Sequence, residues 1–179
     1  MKKYVAFLRG INISGKNKIS MKELKAAFEN VGFSDVATFL NSGNVVFCAD
    51  EAENEKILRT KIEAMIKEKF SLEIAVFVID FSYLKQLLES APSWWGTGEK
   101  TKYDNLIFIL SDDSAEEICA LLGKPSENLE MSKIVDNAIF WTFEREKYQK
   151  CTWWKKSASK GIAAKLTIRT AGTIKKILS

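Results

Sequence analysis

Histidine occurs nowhere in the 179 residues. That single absence removes Ser-His-Asp and Cys-His nucleophilic machinery, histidine metal ligands and imidazole proton shuttles together. Any chemistry would fall to carboxylates, Lys, Tyr, Cys or a bound group, and no motif nominates a cofactor. Cysteine is nearly as scarce. Cys48, Cys119 and Cys151 are odd in number and widely spaced, a form that neither a disulfide framework nor a zinc knuckle takes. Cys48 and Cys119 stand in apolar contexts and read as buried structural thiols. Cys151 lies among basic residues that could lower a thiol pKa. No apolar run approaches the roughly 18 residues that span a bilayer. The segment Met1-Lys2-Lys3-Tyr4-Val5-Ala6-Phe7-Leu8 begins like a signal peptide. Its five apolar residues before Arg9 fall short of an h-region of about 7–15. It reads as a strand, and a cytoplasmic location without membrane association is expected.

What is present is ordinary in amount and uneven in placement. Hydrophobic residues make up 46% and charged residues 28%, as in a globular chain with one substantial core or two small ones. The net charge is +4, yet residues 1–27 and 145–179 are strongly basic while the stretch between them is acidic. If the two ends meet, they form a basic face suited to a phosphorylated or nucleic-acid partner. The competing reading is that these lysines solvate outer helix faces.

Hydrophobic periodicity divides the chain into two similar runs of elements. In the first, 4–8 is an apolar strand. Ser20-Met21-Lys22-Glu23 is a capping box that opens a helix ending at Gly32. Strands over 36–40 and 44–48 flank Asn41-Ser42-Gly43, a hairpin signal. A helix over about 53–69 and a strand over 74–79 complete the order βαββαβ, the split βαβ arrangement of ferredoxin-like domains. The second half repeats the theme. A short helix over 82–89 leads to a strand over 106–110, and Ser114-Ala115-Glu116-Glu117 caps the next helix. A hairpin turns at Asp136-Asn137, a helix covers 157–165, a short strand 167–169, and a helix ends the run. The expected fold is therefore α+β, with two ferredoxin-like (βαββαβ) subdomains, antiparallel sheets and a C-terminal helix. The expected boundary divides 1–80 from 81–179, closely packed because no flexible linker separates them.

The loop after the first strand is the sharpest local feature. Gly10-Ile11-Asn12-Ile13-Ser14-Gly15-Lys16-Asn17 matches G-x-x-x-x-G-K-[ST] except at its last position, where Asn17 lacks the Mg²⁺-binding hydroxyl. A phosphate loop also runs straight into its helix within a parallel sheet, whereas here Ser20 caps the helix and a hairpin follows. The pattern fits a plain anion-binding loop better, with glycine-permitted turns, Lys16 and free backbone N–H groups.

At this loop the sequence resembles a known family. Leu8-Arg9-Gly10-Ile11-Asn12, then Gly15-Lys16-Asn17, and Leu40-Asn41-Ser42-Gly43-Asn44-Val45 with Phe47 are similar to a bacterial conserved-hypothetical family, domain of unknown function 1697. Pro92-Ser93-Trp94-Trp95 and Thr167-Ile168-Arg169 also look like it. The resemblance implies a pair of ferredoxin-like subdomains and brings no activity. The family usually has Asn after that Arg; here Thr170 stands in its place and can cap the last helix.

Two further groups bear on function. Asn41 and Asn44 suit a tight turn, or else present their amides beside the 9–17 loop. Trp94-Trp95 and Trp153-Trp154 offer stacking surfaces for a base or sugar, against which stands packing of one ring of each pair in a core. Tyr4, Phe7 and Phe47 lie on strands one and three, as in RNA-recognition modules. However, the run 44–47 lacks the required glycine-aromatic pattern, and Tyr4 and Phe7 point to opposite faces. The expectation is a binding protein for a small anionic ligand or nucleic acid. Its contacts would come from Arg9, Asn12, Lys16, Asn17, Asn41, Asn44, Trp95 and Arg169. A histidine-independent enzyme on a phosphorylated substrate and a protein-interaction module are the alternatives.

Overall fold

The apolar strands are buried along most of their length, and they pair into two sheets. In the computed structural model, which describes residues 1–179, β1 (Lys2–Leu8), β2 (Ser34–Phe39), β3 (Asn44–Ala49) and β4 (Val76–Asp80) form one antiparallel sheet in the order β2-β3-β1-β4. Strands β5 (Lys102–Ile109), β6 (Glu130–Val135), β7 (Ala138–Glu144) and β8 (Leu166–Thr170) form a second in the order β6-β7-β5-β8. Each unit is βαββαβ, and a C-terminal helix ends the chain. One compact unit comprises Met1–Gln86 with Lys176–Ser179, the other Leu87–Lys175.

In the first unit Tyr4, Ala6 and Leu8 alternate onto one side of β1 and meet Val45, Phe47, Val76 and Val78. The helices α1 (Met21–Asn30) and α2 (Glu55–Phe70) cover that side through Leu24, Phe28, Leu58 and Ile62. Phe47 is the hub. Its ring lies 4.6 Å from Phe33, 5.4 Å from Phe28 and 5.9 Å from Tyr4. Tyr4 and Phe47 thus lie inside the core beneath the helices and offer no stacking platform for bases.

Local start signals behave as expected, with one asymmetry. Ser20 accepts from Glu23 N–H at 3.1 Å, but only the second box is reciprocal, with Ser114 N–H donating to Glu117 at 2.7 Å. Each sheet's last strand runs directly into a helix, α3 (Phe81–Glu89) or α7 (Ala171–Leu178). Its own final residue caps that helix. Asp80 accepts from Tyr83 N–H, and Thr170 accepts from Thr173 N–H.

Asp80 also pairs with Lys2 at 2.7 Å. Burial pushes this carboxyl up, but the bond from Lys2, the N–H groups of Tyr83 and Ser82, and the Lys2 charge outweigh it and leave the pKa below the usual range. A carboxylate depressed in the folded state stabilises the fold above its unfolded pKa, about 3.9, and loses that contribution as the pH falls through the folded value. Asp80→Asn, which keeps an oxygen for the cap, should therefore flatten the loss of stability below about pH 4. Urea unfolding of both proteins on either side of that pH measures it; parallel acid limbs would refute the assignment.

The second unit departs from the expected pattern in two places. β5 begins at Lys102, because Lys102, Tyr103 and Asp104 pair with Glu144, Phe143 and Thr142 of β7. The single helix expected over 157–165 is absent. The crossover is instead a 3₁₀ segment (Arg145–Lys150), α5 (Thr152–Ser157) and α6 (Lys160–Ala163). The break is held from outside the segment. Cys151, at the start of α5, makes no side-chain cap, and Glu130 of β6 supplies it. The Glu130 carboxylate accepts from Trp153 N–H at 3.2 Å and from Ser126 N–H at 2.8 Å. No helix is long and apolar enough to cross a membrane.

Candidate functional site

The 9–17 loop is a folded element that uses its own polar groups. Gly10, Asn12, Ser14, Gly15 and Asn17 all adopt positive φ, a region open to Gly and tolerated by Asn. Asn12 ties the loop down. Its Nδ2 donates to Ile19 O at 2.9 Å and Asn41 O at 2.8 Å, and its Oδ1 accepts from Ile19 N–H at 2.9 Å. Asn17 Nδ2 donates to Gly10 O at 2.9 Å, and its carbonyl accepts from Asn12 N–H.

The hairpin turn packs against this loop. Asn44 is buried, and its Nδ2 donates to Phe39 O and Ser42 Oγ. Gly43 O accepts from Leu8 N–H at 2.8 Å. The sequence therefore brings Asn12, Asn17, Asn41 and Asn44 into one interlocked pair of turns, with their named amides turned to neighbouring backbone and Ser42. The cations differ. Arg9 is half-buried, Lys16 and Lys18 are exposed, and none of the three enters an ion pair. A cavity of about 470 Å³ at the N-terminal end of α1 is lined by Asn12, Gly15, Lys18, Ser20, Met21 and Asn41, so that Lys18 is the one of these cations in its wall.

Trp95 and Arg169 belong to the second unit, and both are buried. Trp95 donates from Nε1 to Asn105 O at 2.7 Å and sets its ring edge-on to Phe140. Arg169 Nη1 donates to Thr167 Oγ1 and Ile168 O, each at 3.0 Å. Burial lowers its pKa to about 10. Each tryptophan pair divides in burial. Trp153 is enclosed with its Nε1 on Gly123 O, while Trp154 is 38% exposed. The thiols are not activated. Burial pushes the pKa of Cys151 up, Glu130 and Glu144 add to the rise, and its Sγ rests 3.5 Å from Lys147 O. Burial likewise raises Cys48 and Cys119.

Sequence reasoning passed over a second cavity, of about 600 Å³, in the second unit. Its floor is the sheet face at Tyr103, Asn105, Trp141, Phe143 and Ile168. Its wall includes Tyr148 and Trp154, whose rings meet at 4.7 Å. Of these residues the sequence singles out only Trp154, as half of a tryptophan pair. No local spacing links them, because they come from five elements.

The solved structure of a conserved bacterial protein, SP0830 from Streptococcus pneumoniae, is similar to this chain throughout. The two share 26% sequence identity and a TM-score of 0.83, over 98% of this chain and 96% of that one. No curated protein matches the sequence. The family model described as a protein of unknown function, DUF1697, matches residues 1–140, over the interlocked loop and turn, the helices α1, α2 and α3 and most of the second sheet, and the chain belongs to that family.

Proposed function

We propose that this protein binds a phosphorylated or nucleotide-like anion at the 9–17 loop. The observation that carries the reading is the division of labour within the loop. Asn12 and Asn17 spend their amides on its shape, while Arg9, Lys16 and Lys18 carry charge that no carboxylate neutralises. The adjacent cavity lies at the end of α1, where the helix dipole and unpaired N–H groups favour negative charge. Arg9 and Lys16 supply the attraction, and Asn12, Asn17, Asn41 and Asn44 keep the turns in register.

A thermal-shift screen of pyrophosphate, nucleotides, phosphosugars and short oligonucleotides at two salt concentrations tests the reading. A small anion is expected to give a saturable shift with shallow salt dependence. An oligonucleotide would bind with affinity that falls steeply as salt rises. Arg9→Ala and Lys16→Ala should each weaken binding about tenfold or more, as loss of a charge-assisted hydrogen bond does. If the double variant keeps every ligand-induced shift, the loop is not the site.

A further inference from the structure

We propose that the cavity on the second sheet is a binding site for a small planar aromatic molecule carrying one anionic group, separate from the loop of the first unit. The site exists because the helix layer over this sheet is broken. In the first unit α2 is a continuous helix of 16 residues, about 24 Å long, and its apolar face covers the strands. The corresponding crossover in the second unit is a 3₁₀ segment followed by helices of six and four residues. Glu130 fixes the start of α5, so the break is a built feature. The cavity floor is the part of this face where Tyr103 and Ile168 stay partly open beside the buried Asn105, Trp141 and Phe143.

The lining specifies a ligand class. Tyr103 and Phe143 are cross-strand partners with rings stacked at 5.1 Å, and Trp141 lies 5.0 Å from Phe143. With Tyr148 and Trp154 on the wall, five aromatic rings surround a volume of about 600 Å³, within the range of small-molecule sites. Flat faces at this spacing suit a planar π-system by stacking or edge contact.

Charge decides between a cation and an anion. Aromatic cages also hold quaternary ammonium ions, but this lining contains no carboxylate, and its one charged residue is Arg145. The Arg145 guanidinium lies 4.8 Å from the Tyr103 ring centre and bonds only the Lys102 carbonyl, at 3.3 Å, with no acidic partner. It is oriented and left uncompensated, the arrangement that recognises a carboxylate or phosphate. A second, independent observation comes from Trp141. Its side chain lines the cavity, is 2% exposed, and carries a buried Nε1–H without any hydrogen-bond partner. Buried donors are rarely left so; this N–H is closed to solvent, and a small turn of the indole would bring it to an acceptor on a bound molecule.

Isothermal titration with three probes tests the site in the full chain. Naphthoate is planar and anionic, naphthylmethanol is planar and neutral, and cyclohexanecarboxylate is anionic without a π-face. Naphthoate is expected to bind saturably with Kd of roughly 100 μM or tighter. Naphthylmethanol should bind about tenfold more weakly, because it lacks the charge-assisted bonds. Cyclohexanecarboxylate should not saturate. Arg145→Gln should erase the difference between the two aromatic probes. Trp154→Ala, at a partly exposed position, should weaken both by about tenfold. Lys16→Ala should leave all three titrations unchanged, which separates this site from the loop. Absence of saturable naphthoate binding, or an Arg145→Gln protein that still prefers the anion, overturns the proposal.

Discussion

Gly43→Ala is expected to destabilise the protein by about 2–5 kcal/mol, combining roughly 1–2 for a left-handed backbone with a Cβ and about 1–3 for overpacking. Gly43 stands at φ +81°, and a Cβ there would meet Leu8 Cβ at 2.7 Å and Ile11 Cδ1 at 2.9 Å. Both neighbours are fully buried at the end of β1 and the start of the loop, so neither can yield cheaply. For a chain of this size each kcal/mol moves Tm by about 2–4 °C, which gives a drop of roughly 4–20 °C. Gly10→Ala is the control. Gly10 also has positive φ, at +71°, but a Cβ there would meet nothing within 4 Å. It should incur only the backbone strain. Equal melting losses in the two variants would mean that close approach of the turn to β1 contributes nothing.

Glu130→Ala should be comparably severe in the second unit. The carboxylate is 7% exposed and serves the N–H groups of Trp153 and Ser126. Removing it leaves two donors with no partner near the start of α5. At about 1–3 kcal/mol for each unsatisfied buried group, a loss of roughly 2–6 kcal/mol follows. Glu130→Gln keeps one acceptor and should fall between wild type and Ala. The near-ultraviolet signal of Trp153 and Trp141, whose rings lie 6.2 Å apart, should change with the loosened crossover. A loss below about 0.5 kcal/mol, the range of a surface substitution, would show that the cap does not hold the break.

These two residues also mark how far the sequence could be read. The hairpin around Gly43, the caps at Ser20 and Ser114 and the helical spacing of Leu58, Ile62 and Ile66 are local patterns, each contained in a few consecutive residues. They were enough to establish the βαββαβ order of both halves and its antiparallel sheets. The split of the last crossover was not legible, because its determinant, Glu130, is on another strand and 21 positions before Cys151. A similar long-range cap is Asn137 in the hairpin, which accepts from Ala115 N–H of α4 (Ala115–Leu122), and Glu63 of α2 reaches in the same way to Val76 N–H at the start of β4. A single acidic or amide residue carries no sign of the helix it will serve. At the candidate loop the residue types were legible and their division of labour was not. Asn12 and Asn17 look like ligand contacts until the fold brings Ile19, Gly10 and the Asn41 carbonyl within reach. The aromatic cavity was the least legible feature, since its residues meet only through the strand register of β5, β7 and β8 and the return of the broken crossover over them.

The position of β1 inside its sheet has a consequence for the order of assembly. β1 is flanked by β3 and β4, both of which follow it in the chain. As synthesis proceeds, this apolar strand precedes both neighbours and has neither until residues 44–49 emerge. It gains the second only when Asp80 has been added. The hairpin of β2 and β3 can close early, because its loop is short. For most of the first unit's synthesis, then, the most aggregation-prone edge belongs to the strand that ends at its centre. Delayed closure, rather than weak final pairing, is the vulnerable step for this unit in the cell.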